Sequence, residues 1–249
     1  MKKSLLLGLA CTLMIGVSGC MEENKVNNVS NEVDIDNNQL VEAMLNKINK
    51  NYNENFKAYK FFPSKKGFNT FESYSYLLAE NDKDLQIIIF EKNGSKGVYV
   101  DNYNDVLLAN SLEKYFNNAI DFEGEVLISI TSTELMGKSK EEIESTPLEL
   151  LKNEDTVEVF VAVEKFDEET IIDLYELYNK LYNYNNMFSF QVAETKNLSK
   201  TKEFVDYYVY YSLNDSWSSF DESAELKMYL YRENITSIEE FKSFVEEVK

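Results

Sequence analysis

Hydrophobic positions along the chain change their period repeatedly, and each change predicts an element. Over residues 39–52, Val41, Met44, Leu45 and Ile48 recur at helical spacing, which predicts a helix with one apolar face. Strands are predicted over 57–62, 71–79 and 85–91, and Asn93-Gly94 marks a hairpin turn into a strand at 98–101. A helix over 108–119 precedes a strand at 125–131, where Val126, Ile128 and Ile130 share a face. Ser139-Lys-Glu-Glu142 has capping-box spacing and opens a short helix that Pro147 limits. Residues 156–163 alternate as a strand. Asp167 then caps a helix reaching 183, with Ile171, Leu174, Tyr175, Tyr178, Leu181 and Tyr182 as its stripe. Strands are predicted over 187–193, 204–212 and 225–231. Thr236-Ser-Ile-Glu239 opens a last helix that turns Ile238, Phe241, Val245 and Val248 inward.

The order helix, three strands, helix occurs over 39–119 and again over 168–247. It predicts an α+β fold of antiparallel meander sheets backed by helices, in two tandem similar halves at 39–133 and 134–249. Residues 20–38 lack aromatic side chains and apolar periodicity, and are expected to form a flexible tether. Asp34, Asp36 and Asn38 have the spacing of a calcium loop's first ligands. Gln39 and Leu45, however, stand where such a loop needs its turn glycine and its bidentate glutamate.

The start of the chain follows different rules. Lys2 and Lys3 precede an apolar run from Leu5 to Val17, too short for a stable membrane span, and the small residues Ser18 and Gly19 lead to Cys20. The segment Val17-Ser-Gly-Cys20 resembles the lipobox of bacterial lipoproteins, in a type II signal peptide occupying 1–19. The resemblance implies a diacylglyceryl thioether on Cys20, cleavage between Gly19 and Cys20, and a membrane-anchored protein on the extracytoplasmic face. Two acyl chains on one residue give durable attachment where one chain is marginal.

Composition narrows the chemistry. The chain has no His, and its two cysteines are Cys11 and Cys20, so the body after residue 20 has no thiol. The usual general base near neutral pH is missing, as are the ligands of most zinc and copper sites, so neither a metal nor another cofactor is expected. After residue 20 the only glycines are Gly67, Gly94, Gly97, Gly124 and Gly137, and no nucleotide-binding loop or nucleophile elbow is spelled. Without Lys2 and Lys3, the 25 basic residues fall to 23 against 44 acidic ones, a net charge of −21. Residues 134–249 hold 12 basic against 26 acidic residues, two-thirds of that excess. Such a surface repels phosphate, so nucleic acid is not an expected partner, whereas a cationic peptide or protein is.

Candidate binding residues follow from this. Tyr208 and Tyr210, on one face of Tyr207-Tyr-Val-Tyr-Tyr211, can stack on a ligand, and Trp217 in a Ser-rich loop can anchor one. Glu164, Asp167, Glu168 and Glu169 gather at the mouth of one predicted helix and form the candidate contact group for a cation. Acids at a helix start also complement its dipole, so the same residues have a structural reason to be there. The expected function is a lipid-anchored extracytoplasmic binding or scaffolding protein, not an enzyme. The alternatives are an immunity-type protein capturing cationic peptides at the cell surface, and a glycan hydrolase using two carboxylates.

Overall fold

Alternating Val and Ile decide which way the strands face, and the faces decide how the elements stack. A computed structural model describes residues 31–63, 75–91, 97–131, 135, 137–154, 156–186, 188–201 and 222–245. Helix α1 (Asn31–Tyr52) leads into strands β1 (Lys57–Phe62), β2 (Tyr76–Glu80), β3 (Gln86–Glu91) and β4 (Tyr99–Asp101), followed by α2 (Tyr103–Asn117). Strand β5 (Gly124–Thr131), α3 (Lys140–Ser145), α4 (Pro147–Leu151), β6 (Thr156–Val163) and α5 (Glu168–Tyr184) come next. Strands β7 (Phe188–Glu194) and β8 (Glu225–Tyr231) and helix α6 (Ile238–Ser243) complete the described elements.

The architecture is α+β: two four-stranded sheets with packed helices. The first sheet is an antiparallel meander in the order β1-β2-β3-β4. Leu77 and Ala79 of β2 pair with Ile89 and Ile87 of β3, and all four are fully buried. The second sheet, in the order β5-β6-β7-β8, is mixed: β6 and β7 run parallel, with antiparallel pairs on either side. Its parallel pair departs from the expected meander because α5 lies between β6 and β7 in the chain. A strand that returns through a helix comes back in the same direction, whereas a tight turn would reverse it. β7 and β8 are direct neighbours, so no strand lies between them as the predicted order 187–193, 204–212, 225–231 would require. Residues 204–212 themselves lie outside the described residues. The two sheets therefore differ in strand direction.

One contiguous core joins both sheets: Met44 and Ile48 of α1, Leu108, Leu112 and Phe116 of α2, and the inward residues of the second sheet belong to the same buried cluster. Tyr178 of α5 packs its ring 5.2 Å from Phe188 and 5.6 Å from Phe241. Its buried hydroxyl donates to the Glu233 carbonyl.

Helix α2 also seals an edge. β5 is the first strand of its sheet, so among the described residues one side of its backbone has no strand partner. The Val126 amide donates to Asn117 Oδ1 at 2.8 Å, and Asn117 Nδ2 returns a bond of 2.7 Å to the Val126 carbonyl. The Ile128 amide donates to Glu113 Oε1 at 2.8 Å. Two side chains of one helix thus stand in for a missing strand.

Several boundaries differ from the sequence expectation. Helix α1 includes residues 31–38 of the expected tether, a stretch that no Gly or Pro interrupts. Helix α3 ends at Ser145, before Pro147 as expected, and Pro147 then opens α4 at the first-turn position that suits its fixed φ. Ser139 and Glu142 form the expected capping box. At the last helix the cap is Ser237, whose hydroxyl accepts from the Glu240 amide, one residue later than expected. Glu240 Oε2 in turn takes the Thr236 amide at 2.9 Å.

Candidate functional site

The four acids singled out at 164–169 surround the start of α5, where β6 hands over to the helix. Asp167 is its N-cap: the carboxylate accepts from the Thr170 amide at 3.0 Å and from the Thr170 hydroxyl at 3.1 Å. Lys165 pairs with the same carboxylate. The Lys165 contact, followed by the Thr170 amide, holds the Asp167 carboxyl down at about 2. Glu168 forms an ion pair of 2.8 Å with Lys242 of α6, which lowers its carboxyl below the usual range. Glu164 and Glu169 are exposed. Two of the four are thus already engaged by lysines, and they fasten α5 to its neighbours.

This arrangement makes a pH prediction with a definite sign. Because the folded-state carboxyl of Asp167 lies below its unfolded value, its contribution is present above pH ~4 and disappears as pH falls toward about 2. Asp167→Ala is expected to lower the melting temperature at pH 7, and the gap to the unmutated chain should close on acidification through that window. A gap that persists at pH 2 contradicts the assignment.

Cys20, Tyr208, Tyr210 and Trp217 lie outside the described residues. A cavity of about 340 Å³ opens elsewhere, between the turn after α2 and one side of α5, with Asp121, Asp173, Glu176, Leu177 and Lys180 in its lining. Burial first, then the charges of Glu176, Asp121 and Glu169, push the Asp173 carboxyl up. Lys180 turns toward the Tyr115 ring, 5.9 Å from its centroid. A hollow of this charge favours a cation over an anion. Sequence reasoning missed these acids because Asp173 and Glu176 sit singly among the apolar residues of the α5 stripe, outside any run of acids.

A third polar group ties the halves together. Lys140 of α3 meets Glu54 at 2.7 Å, Tyr103 donates to the same Glu54 oxygen at 3.3 Å, and Asn81 donates to the other at 3.2 Å. Tyr52 stacks on Tyr103 with 3.9 Å between centroids and donates to Asp101 at 2.9 Å. Burial pushes the Tyr103 hydroxyl up to about 12, so it stays a protonated donor. These bonds satisfy one another, and their chemistry is structural. Among the described residues, no group of three or more His, Cys, Asp or Glu is placed to hold a metal ion. No described helix is long and apolar enough to cross a membrane.

With two helix-backed sheets and an acid-lined hollow, the chain falls in the class of α+β proteins, and the comparison with solved structures agrees on the fold. It is similar to a crystal structure of a DUF5037 family protein from Ruminococcus gnavus, with a TM-score of 0.54 and 15% identity over 84% of this chain and 99% of that one. At that identity the likeness concerns the fold alone. No family model and no curated protein matches the chain.

Proposed function

We propose that this is a lipid-anchored extracytoplasmic binding or scaffolding protein, held through Cys20 and without catalysis of its own. The observation that carries the reading is the register of the first 20 residues: a dilysine start, an apolar run, two small residues and a cysteine. In support, the absence of His and of any thiol after residue 20 removes the commonest catalytic groups. Protease added to intact cells should degrade the protein while leaving cytoplasmic proteins whole; survival of the full-length chain overturns the reading.

A second reading, capture of cationic peptides at the cell surface, is favoured by the acidic hollow beside α5 and by the charge of residues 134–249. Association of that kind weakens with salt, since exposed charges are screened within roughly 10 Å at 0.1 M ionic strength. Titration of the protein with a cationic antimicrobial peptide at low and high salt separates the two readings.

A further inference from the structure

The chain carries 44 acidic residues against 25 basic ones, yet residues 57–71 hold no acid at all. That run, Lys57-Ala-Tyr-Lys-Phe-Phe-Pro-Ser-Lys-Lys-Gly-Phe-Asn-Thr-Phe71, has four lysines with five aromatic side chains set among them. It reverses the sign of the charge locally, and its described part is β1 with Pro63.

β1 is the first strand of its sheet, so among the described residues its outer edge has no strand partner. Lys57, Ala58, Tyr59 and Lys60 are all exposed, whereas the middle of β2 beside them is buried. The register slips at this point: Ala58 pairs with Ala79 and Lys60 with Leu78, which leaves Tyr59 over as a bulge. Tyr59 is 63% exposed, more than any other large apolar residue described. Lys60 stands 4.9 Å from the Phe62 ring centroid, and Lys57 pairs with Asp82 at 2.7 Å. The Lys57 and Asp82 side chains are 71% and 60% exposed, so that pair is weak and gives way to another anion at small cost. Lysines on a sheet edge discourage pairing with a further strand, but that role needs no tyrosine in open water. A bilayer interface accepts both. Tyr rings settle at the level of the headgroups, and each basic residue near an anionic surface favours binding about fivefold.

We propose that β1 is the side this protein lays on its own membrane, with Tyr59 in the headgroup layer and Lys57 and Lys60 against anionic lipid phosphates. The inference rests on the proposed lipid anchor and goes beyond it, because an anchor limits distance and leaves orientation open. Covalent geometry permits the contact. The chain from Cys20 to Asn31 spans at most about 40 Å. The 22 residues of α1, which leads into β1, measure about 33 Å, so an anchored body can reach the bilayer with either end of that helix. Charge then selects the side: an anionic surface repels the acid-rich residues 134–249 and attracts β1.

The test uses the lipidated full chain, held by its anchor in vesicles of equal parts phosphatidylcholine and phosphatidylglycerol. Once Cys20 carries lipid the body has no thiol, so Ala58→Cys supplies one site for a nitroxide beside Tyr59. Ile172→Cys, at an exposed position of α5, supplies the control. Collision of the nitroxide with an uncharged nickel chelate in the water should fall roughly threefold or more at position 58 on passing from detergent to vesicles, and stay unchanged at 172. Lys57→Gln with Lys60→Gln, or Tyr59→Ser, added to Ala58→Cys should restore most of that access and leave the melting temperature as it was, since these side chains are exposed. Position 58 equally open in vesicles and in detergent, on protein that floats with the vesicles, overturns the docking and spares the anchor. Protein that does not float with them overturns both. Equal shielding on phosphatidylcholine alone overturns the role of the lysines, and shielding of 172 in place of 58 overturns the orientation. Protection of position 58 by polyglutamate but not by vesicles makes the partner an acidic peptide and overturns the membrane assignment.

Discussion

Gly124→Ala is expected to destabilise the protein by about 1–3 kcal/mol, toward the upper end of that range. A methyl group built on Gly124 meets the Ala162 carbonyl oxygen at 2.6 Å and a Phe122 ring carbon at 2.5 Å. The phenyl ring can turn, but the carbonyl cannot follow. It belongs to interior strand β6, whose registry with β5 is fixed by pairs from Gly124–Val163 to Thr131–Thr156. Relief therefore requires β5 to move off β6 and drag the Asn117 and Glu113 contacts with it. For a chain of this size each kcal/mol lowers the melting temperature by about 2–4 °C, so a thermal scan resolves the effect. A melting temperature equal to that of the unmutated chain contradicts the close packing of β5 on β6.

Cys20→Ala has an effect of a different kind, since it removes the thiol to which lipid is attached in the proposed maturation. Diacylglyceryl transfer needs that sulfur, and the signal cleavage that follows acts on the modified residue. The variant should therefore accumulate either as an uncut precursor or as protein released from the membrane. No mature-sized protein should sediment with membranes. Restoring a serine in place of cysteine should not rescue attachment, because the lipid bond is a thioether. Mature-sized Cys20→Ala protein in the membrane fraction contradicts the assignment.

Much of the fold was legible in short-range pattern. Lys57–Phe62, Thr156–Val163 and Glu225–Tyr231 have the expected strand limits, and in the last two alternation over seven or more residues leaves little choice of face. Asp167 and Ser139 act as caps where their spacing to the next apolar residue indicated. The last helix shows why spacing alone can slip. Thr236 and Ser237 are both capping residues, and Glu239 and Glu240 both fit the third position, so two registers were equally spelled. The parallel pairing of β6 with β7 was also written in the chain, as a strand, a 17-residue helix and a strand. The apparent repetition of helix and strands in the two halves concealed it.

The sites were less legible, for a physical reason. Runs of acids at 164–169 draw attention but sit where a helix start wants them, and lysines 165 and 242 engage two of them. Glu158, half-buried and without a hydrogen-bond or ion-pair partner among the described residues, stands alone in sequence, and only cross-strand register brings it beside Ser189 and near Tyr229. Tyr229 and Tyr231 alternate with Met228 and Leu230, a pattern that marks two faces but does not say which one is left open. Long-range pairing supplies that information, and it is absent from any window of local sequence.

The anchor is the premise on which the proposed function depends, and its most direct measurement is the mass of the N-terminal peptide of protein extracted from its own membranes. The account predicts a peptide that begins at Cys20 and carries the added mass of a diacylglyceryl group on sulfur. An unmodified peptide, whether it starts at Met1 or at a residue after Cys20, would contradict it.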